Sequence, residues 1–140
     1  MLGGEYRHAL DSKNRIFTPA KLREELGLSF VVVKSIREKC LKIFSLEGWK
    51  AYTAPIREQN RKLQEQVLRF LNSTSAQVTP DAQGRIVLPP ELVGYAEIER
   101  NVVVVGCGDY AEIWSEDNYE KMKAEMDMSE IIGQLEALGL

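Results

Sequence analysis

The sequence contains few histidines and cysteines, two of the residue types from which metal sites and covalent catalytic sites are built. It has one histidine in 140 residues and two cysteines, Cys40 and Cys107. No cysteine and histidine cluster has the spacing of a metal site, so neither a metal nor a cofactor is predicted. The two cysteines are interpreted as buried, reduced thiols.

Long hydrophobic runs are also missing. No apolar stretch approaches the ~20 residues that a membrane-spanning helix requires, and the N-terminal residues lack the apolar segment of a signal peptide. Hydrophobic residues make up 44% and charged residues 28% of the chain, as in an ordinary globular domain. We therefore expect a cytoplasmic protein with no membrane partner, folded as one compact unit or as two small interlocked ones.

What the chain does contain is an internal repeat at an offset of 70 residues. The segment 11–19 (DSKNRIFTP) aligns with 81–89 (DAQGRIVLP). Without a gap, the alignment gives nine identities over 11–49 and places Val32–Val33 on Val102–Val103. A unit of about 45 residues is marginal for a core of its own, so the two copies are expected to share one core about a pseudo-twofold axis.

Turn and strand signals divide the chain into four segments. They are a first β-rich repeat at 5–49, an inter-repeat helix at 50–74, a second repeat at 76–119 and a helical tail at 120–140. Each repeat is predicted as strand, turn, strand, short helix (20–26 in the first copy), two strands and a closing helix. Many short strands with few long helices indicate an α+β fold, in which the pseudo-twofold-related repeats form a small, shared β-barrel-like core with flanking helices.

Capping residues indicate where the later helices begin. Ser45 and Ser115 each precede a helical stretch and are predicted N-caps, and Ser129 is predicted to cap the last helix. One face of that last helix is apolar, so it packs either on its own chain or on a neighbouring one.

The motif Asp-x-x-x-Arg stands near the start of each repeat, beginning at Asp11 and at Asp81. The residue before the arginine is Asn14 in one copy and Gly84 in the other, and both tolerate positive φ, which predicts a tight turn. Across such a turn the carboxylate and the guanidinium can pair in a bidentate contact. We therefore interpret the two aspartates as structural residues.

Charge is divided unequally between the halves. Residues 1–70 contain 14 Lys and Arg against 8 Asp and Glu, a net of +6, and residues 71–140 contain 4 against 13, a net of −9. A polyanion is therefore predicted to meet the first repeat, although mixed charge that merely keeps both surfaces soluble is an alternative. Side chains that can donate to phosphates or base edges make up the candidate DNA-binding set. They are Arg7, His8, Lys13, Asn14, Arg15 and, in the second copy, Arg85.

Two other functions fit parts of the sequence. Asp11 and Asp81 could form a proton-sharing dyad, as in aspartic proteases, but the arginine in each motif would hold its aspartate ionised. A chain of 140 residues also leaves little room for a substrate cleft, so no enzyme is predicted. A non-enzymatic interaction module, antitoxin-like or a scaffold, would instead use the acidic half to bind a protein.

The segment 4–23 (GEYRHALDSKNRIFTPAKLR), together with the second motif at 81–89, resembles the MraZ family. The resemblance covers nearly the whole chain, including both repeats. It implies two domains of the AbrB/SpoVT swapped-hairpin class, with Lys13 and Arg15 at DNA-facing positions. The family usually has glycine at the turn position that Asn14 occupies, and the asparagine amide is expected to alter base preference.

The same resemblance implies a function. The expected protein is a bacterial regulator of transcription of the division and cell-wall gene cluster, associated with the nucleoid. Its expected partner is double-stranded promoter DNA, in which it binds short direct repeats upstream of its own operon. It is also expected to form ring-shaped homo-oligomers.

Overall fold

Eight strands from the two repeats form one open sheet and one small ribbon in the computed structural model, which describes residues 1–140. The strands are β1 (Glu5–Ala9), β2 (Arg15–Phe17), β3 (Phe30–Lys34), β4 (Leu41–Ser45), β5 (Ser75–Val78), β6 (Arg85–Val87), β7 (Asn101–Gly106) and β8 (Ala111–Ser115). Six of them make an antiparallel sheet in the order β1-β7-β8-β4-β3-β5, and β2 pairs with β6 as a separate two-stranded ribbon.

Six α-helices and one 3₁₀ helix connect or follow the strands. They are α1 (Ala20–Leu26), α2 (Leu46–Thr53), α3 (Arg61–Ser73), α4 (Pro90–Tyr95), α5 (Glu116–Ala124) and α6 (Met128–Ala137), with the 3₁₀ helix at Ala54–Glu58 between α2 and α3. The predicted bounds of α1 are confirmed. None of these helices has both the length and the apolar composition needed to cross a membrane.

Two of the three predicted N-caps are confirmed. The hydroxyl of Ser45 accepts from the Gly48 amide and that of Ser115 from the Asn118 amide, at 2.9 and 3.1 Å. The prediction that Ser129 caps the last helix is wrong. Asp127 caps it instead, because its carboxylate stands before the first turn and accepts from the backbone N–H of residues 129 and 130.

Each repeat gives its first strand to the other repeat. β1 lies beside β7, and β5 lies beside β3. When each strand is replaced by its counterpart in the other repeat, the strand order of the sheet is reversed. The sheet therefore has a pseudo-twofold axis. The axis passes between Ile16 and Ile86 in the ribbon and between Lys42 and Glu112 in the sheet, because these register partners are also repeat counterparts. Neither repeat completes its part of the sheet alone.

One core serves both repeats. Nineteen buried residues form a single cluster under the sheet, and they come from the ribbon, from α1 and α4, from the inner faces of the strands and from the segments that connect these elements. Leu88 and Phe30 are fully enclosed, and Ile16 and Ile86 are only 2% and 1% exposed. The predicted α+β class with two related repeats is confirmed. The sheet stays open, with β1 and β5 at its edges, and no closed barrel is found.

The repeats do not align without a gap over their third strands. Phe30 pairs with Ser45, which lies 15 residues later, whereas Val102 pairs with Ser115, which lies 13 residues later. Val102 is therefore the counterpart of Phe30 and not, as the ungapped alignment predicts, of Val32. The second repeat has two extra residues before this strand and two fewer after it. A shift of two leaves every side chain on the same face of the sheet. Because both strands contain a run of valines, the sequence alignment does not reveal the shift.

Replacing Ile16 or Ile86 with alanine should destabilise the whole chain by similar amounts, about 2–5 kcal/mol each. The two side chains face each other across the pseudo-twofold axis, and truncating either one leaves a cavity in the core that both repeats share. Urea unfolding followed by circular dichroism should show one transition shifted to lower urea.

The control is Val87→Ala, on the same ribbon but 57% exposed, which should change the free energy of unfolding by no more than about 0.5 kcal/mol. Two separate transitions, only one of them shifted, would show that the repeats fold independently and contradict the shared core.

Candidate nucleic-acid interface

The first Asp-x-x-x-Arg motif builds a turn around one carboxylate. Oδ1 of Asp11 accepts from the backbone N–H of Lys13 and of Arg15, at 2.9 and 2.8 Å. Oδ2 accepts from Nε of Arg15 at 2.7 Å. Asn14 has a φ of 57°, as its place in a tight turn requires. The predicted turn and ion pair are confirmed, but the pair is not bidentate between the two side chains, because backbone amides occupy the second carboxylate oxygen.

The second motif repeats this geometry. Oδ1 of Asp81 accepts from the backbone N–H of Gln83 and of Arg85, both at 2.9 Å, and Oδ2 accepts from Nε of Arg85 at 3.0 Å. Gly84 takes the positive φ, 81°. In both copies the arginine is held at Nε only, and its two terminal nitrogens make no hydrogen bond within the chain. Each guanidinium is therefore fixed in place with donors left for another molecule.

The ribbon formed by β2 and β6 presents both arginines on its outer face. Arg15 lies opposite Val87, and Phe17 lies opposite Arg85. These four residues share one face, since side chains opposite each other or two apart in an antiparallel pair point the same way. Phe17 and Val87 are 37% and 57% exposed, so exposed apolar groups lie between the two guanidinium groups. The middle residues of the two strands, Ile16 and Ile86, point into the core.

Each turn is also held by the opposite repeat. The amide of Thr18, just after β2, donates to the carbonyl of Gly84 at 2.9 Å. The amide of Leu88, just after β6, donates to the carbonyl of Asn14 at 2.8 Å. The two turns thus flank a short ladder of fixed length, which sets the spacing between the arginines before any ligand binds.

Arg23, which the sequence reasoning missed, lies beside the second turn. Its Nε donates to the carbonyl of Thr18 at 2.9 Å, and its guanidinium lies 5.6 Å from the centre of the Phe17 ring. A Cβ on Gly84 would come within 2.8 Å of its Cζ, so glycine makes this approach possible. Arg23 is on α1 of the basic repeat, and it adds positive charge to the turn of the acidic repeat. Nothing local in the sequence signals this contact.

Arg7 and His8 do not both gather at the turn, as the sequence reasoning expected. They are neighbours on β1, so their side chains point to opposite faces. The His8 ring packs against Phe17 of the ribbon, with ring centres 5.3 Å apart. Arg7 faces the other way, 2.6 Å from a carboxylate oxygen of Glu120 and 3.5 Å from one of Glu116. The hydrogen bond that Arg7 donates to the Glu120 carboxylate raises the pKa of Arg7 above its usual value.

The two aspartates are stabilised in their ionised form. The backbone N–H of Arg15 is the largest cause that lowers the pKa of Asp11, and the Arg15 side chain adds to it. The corresponding groups of Arg85 and the Gln83 amide lower the pKa of Asp81. Each carboxylate is satisfied within its own turn, which supports a structural role. No group of three or more His, Cys, Asp or Glu side chains is arranged to hold a metal ion.

Asp11→Asn should lower the melting temperature at pH 7, and the deficit should shrink as the pH falls below about 4. The pKa of Asp11 is lower in the folded chain than in the unfolded one. The carboxylate therefore stabilises the fold fully above its unfolded pKa of about 3.9, and this contribution is lost as the pH falls through the lowered folded value. Thermal melts of both proteins from pH 7 to pH 3 measure the difference.

Asp109→Asn is the matched control. Asp109 is exposed and its carboxylate makes no hydrogen bond or ion pair in the chain, so this change should have little effect at any pH. A deficit for Asp11→Asn that is the same at pH 7 and pH 3 would show that the ionised carboxylate is not what stabilises the turn.

Comparison with known proteins agrees with the two-repeat architecture. A family model described as "MraZ protein, putative antitoxin-like" matches residues 1–71 and again residues 70–137. The relatives include three that bear the name "Transcriptional regulator MraZ". Those of Clostridium tetani and Thermoanaerobacter sp. (strain X514) are 36% and 37% identical, with all of both chains covered. That of Dictyoglomus thermophilum is 34% identical over 96% of this chain and 93% of its own. The chain belongs to the MraZ family.

Proposed function

We propose that this protein is a sequence-specific DNA-binding regulator of transcription and not an enzyme. One observation carries the proposal: the outer face of the ribbon holds Arg15 and Arg85 by Nε at pseudo-twofold positions, with their terminal nitrogens unused. A two-stranded ribbon is narrow enough to enter the major groove of B-DNA, where arginine pairs with the acceptor edge of guanine. The relatives named "Transcriptional regulator MraZ" support the same function.

The remaining residues take separate roles around the two arginines. Lys13 is exposed at the first turn and is suited to a phosphate oxygen. Asn14 keeps the left-handed backbone of the turn and has an amide that can reach a base edge. Phe17, exposed beside Arg85, is suited to apolar contact with a thymine methyl group. His8 sits against the Phe17 ring and supports it from the strand behind.

The target we propose is the promoter of the division and cell-wall gene cluster, with short direct repeats upstream of the protein's own operon. A ribbon with two base-reading arginines spans only a few base pairs, which is little contact for tight and specific binding. Several copies of the chain in a closed ring would bind consecutive DNA repeats, here called boxes. Binding several boxes at once would raise the affinity through effective concentration. This assembly would work at the nucleoid.

Arg15→Ala should weaken DNA binding more than Arg85→Ala does. If Arg15 reads a base, its loss should cost about 1–3 kcal/mol of binding free energy; if it meets a phosphate, the salt slope should fall by about 1. Residues 1–70, which include the first turn, carry a net charge of +6 and residues 71–140 one of −9, so the first turn should hold the DNA more strongly. Titration of labelled duplex from the region upstream of the gene, at several salt concentrations, measures both quantities.

Two further variants provide the comparison. Lys50→Ala removes an exposed cation on α2, away from the ribbon, and should leave affinity unchanged. Arg7→Ala should cost less affinity than Arg15→Ala, because its guanidinium is already paired with carboxylates. Equal losses for Arg15→Ala and Arg85→Ala would contradict the asymmetry, and wild-type affinity that ignores salt would contradict DNA binding itself.

Affinity should also rise steeply with the number of boxes when their spacing is kept. Binding of wild-type protein to duplexes with one, two and three boxes gives the gain per box, and inserting about five base pairs between boxes should abolish it. The five-pair insertion turns the second box to the opposite side of the helix, because one turn of B-DNA takes about 10.5 base pairs. Affinity indifferent to box number and spacing would show that the chains bind singly.

A further inference from the structure

The guanidinium of Arg23 lies beside the ribbon with most of its donors unused. Its Nε donates to the carbonyl of Thr18 at 2.9 Å, and its Cζ lies 5.6 Å from the centre of the Phe17 ring. The two terminal nitrogens make no hydrogen bond within the chain, and the side chain takes part in no ion pair. Arg23 is therefore anchored as Arg15 and Arg85 are, by Nε alone, with its terminal donors free for another molecule.

The residue against which this guanidinium packs differs between the two turns. Gly84 is buried, and a Cβ on it would lie 2.8 Å from Cζ of Arg23 and 3.0 Å from each of the two terminal nitrogens. In the first turn Asn14 has such a Cβ, and the repeat counterpart of Arg23 is Val93, which packs against the hydrophobic core. The arginine thus accompanies glycine and the valine accompanies asparagine, so this cation is present only at the turn that has room for it.

No carboxylate near Arg23 neutralises its charge. Asp81 and Glu24 line the same surface groove as Arg23. Both oxygens of Asp81 are occupied within its own turn, by two backbone amides and by the arginine of the motif. Glu24 is exposed and takes part in no ion pair. Helix α1 of the basic repeat therefore brings an unpaired positive charge to the turn of the acidic repeat, where the uncharged Gln83 stands in place of Lys13.

The position of Arg23 suits a phosphate better than a base edge. Arg15 and Arg85 stand on the outer face of the ribbon, which in the major groove faces the base edges on the groove floor. Arg23 comes from α1 instead and lies beside the ribbon, next to the second turn. The phosphate backbones form the walls of the groove, so a cation beside an inserted ribbon meets a phosphate. Two free terminal nitrogens match two phosphate oxygens, because a guanidinium donates parallel N–H bonds.

We propose that Arg23 is a further DNA-contacting residue, which binds the backbone phosphate beside the base pair that Arg85 reads. The inference rests on the proposed function, and it assigns a DNA contact at the second turn to a residue of the first repeat. Gly84 positions this contact, because its missing Cβ lets the guanidinium lie against the turn. A phosphate contact adds affinity for any base sequence, and it adds about one released counterion to the salt dependence of binding.

Arg23→Met tests the contact, since methionine keeps a long, unbranched side chain without the charge. On duplex from the region upstream of the gene, the slope of log affinity against log salt should become shallower by about 0.9. This change corresponds to an affinity loss of about eightfold at about 0.1 M salt and almost none near 1 M. The ratio of affinities for the natural and a scrambled duplex should stay the same, because a phosphate contact does not read sequence. Arg23→Lys keeps the charge and should keep the wild-type slope.

Lys21→Met is the matched control. It also removes one cation from α1, at an exposed position that takes part in no ion pair. Lys21 and Arg23 are two residues apart and therefore lie on opposite sides of the helix. Lys21→Met should leave the salt slope unchanged.

Gly84→Asn tests the packing from the other side. Asparagine adds the Cβ that the guanidinium excludes, and Asn14 already holds the same kind of turn with a φ of 57°. The variant should lose about as much affinity as Arg23→Met does, because the displaced guanidinium no longer reaches the phosphate. In a chain that also has Arg23→Met, the same change should cost nothing further.

Wild-type affinity and slope for Arg23→Met, an equal fall in slope for Lys21→Met, or additive losses for Gly84→Asn and Arg23→Met would each overturn the contact. A purely structural role would overturn it too, and would lower the melting temperature with the salt slope unchanged. Circular dichroism checks that each variant is folded, and Arg23→Gln replaces Arg23→Met if that one is not. Wild-type protein that fails to bind the duplex counts against the proposed function. Wild-type binding that is weakened by Arg15→Ala but not by Arg23→Met counts against this contact alone.

Discussion

The exchange of the first strand between the two repeats is the constraint on which the rest of the molecule depends. Because β1 completes the sheet of the second repeat and β5 completes that of the first, neither copy can bury its apolar surface alone. The exchange also brings β2 and β6 together on the pseudo-twofold axis, where Ile16 and Ile86 close the core from below. Two units of marginal size thereby obtain one core of nineteen buried residues.

The side chains on the outer face of the same ribbon are determined by which residues point into that core. Ile16 points inward, so Arg15 and Phe17 must point outward, and the same alternation applies to Arg85 and Val87. The Asp11 carboxylate then uses one oxygen on the backbone and the other on Nε of Arg15, which fixes the guanidinium without consuming its terminal donors. A rigid scaffold with unused donors is what base recognition needs, because little conformational freedom remains to be lost on binding.

The strands of the two repeats are arranged symmetrically, but the exposed side chains of the repeats differ. Lys13 faces solvent at one turn and Gln83 at the other, while Arg23 supplies a cation to the second turn from the first repeat. The helices that follow the repeats differ in the same way, since α3 has unpaired cations and α6 has unpaired carboxylates.

Local features were determined by the sequence itself. The bounds of α1, the caps at Ser45 and Ser115, and the positive φ of Asn14 and Gly84 all depend on residues within a few positions of one another. The pairing inside each Asp-x-x-x-Arg turn is local for the same reason, since four residues separate the charges. The repeat itself could be detected because the residues of its motif recur 70 positions later in the sequence.

What only the tertiary structure decided involves partners far apart along the chain. β1 meets β7 nearly 100 residues later, and Arg23 meets Gly84 across the ribbon, without any local pattern to indicate either contact. The pairing of Arg7 with the carboxylates of α5 is likewise revealed by no neighbour of Arg7 in sequence. The two-residue shift of β7 could not be seen in the sequence, because side chains in a strand alternate with a period of two and valine replaces valine on the same face. Only the hydrogen-bonded register between the strands distinguishes the shifted alignment from the ungapped one.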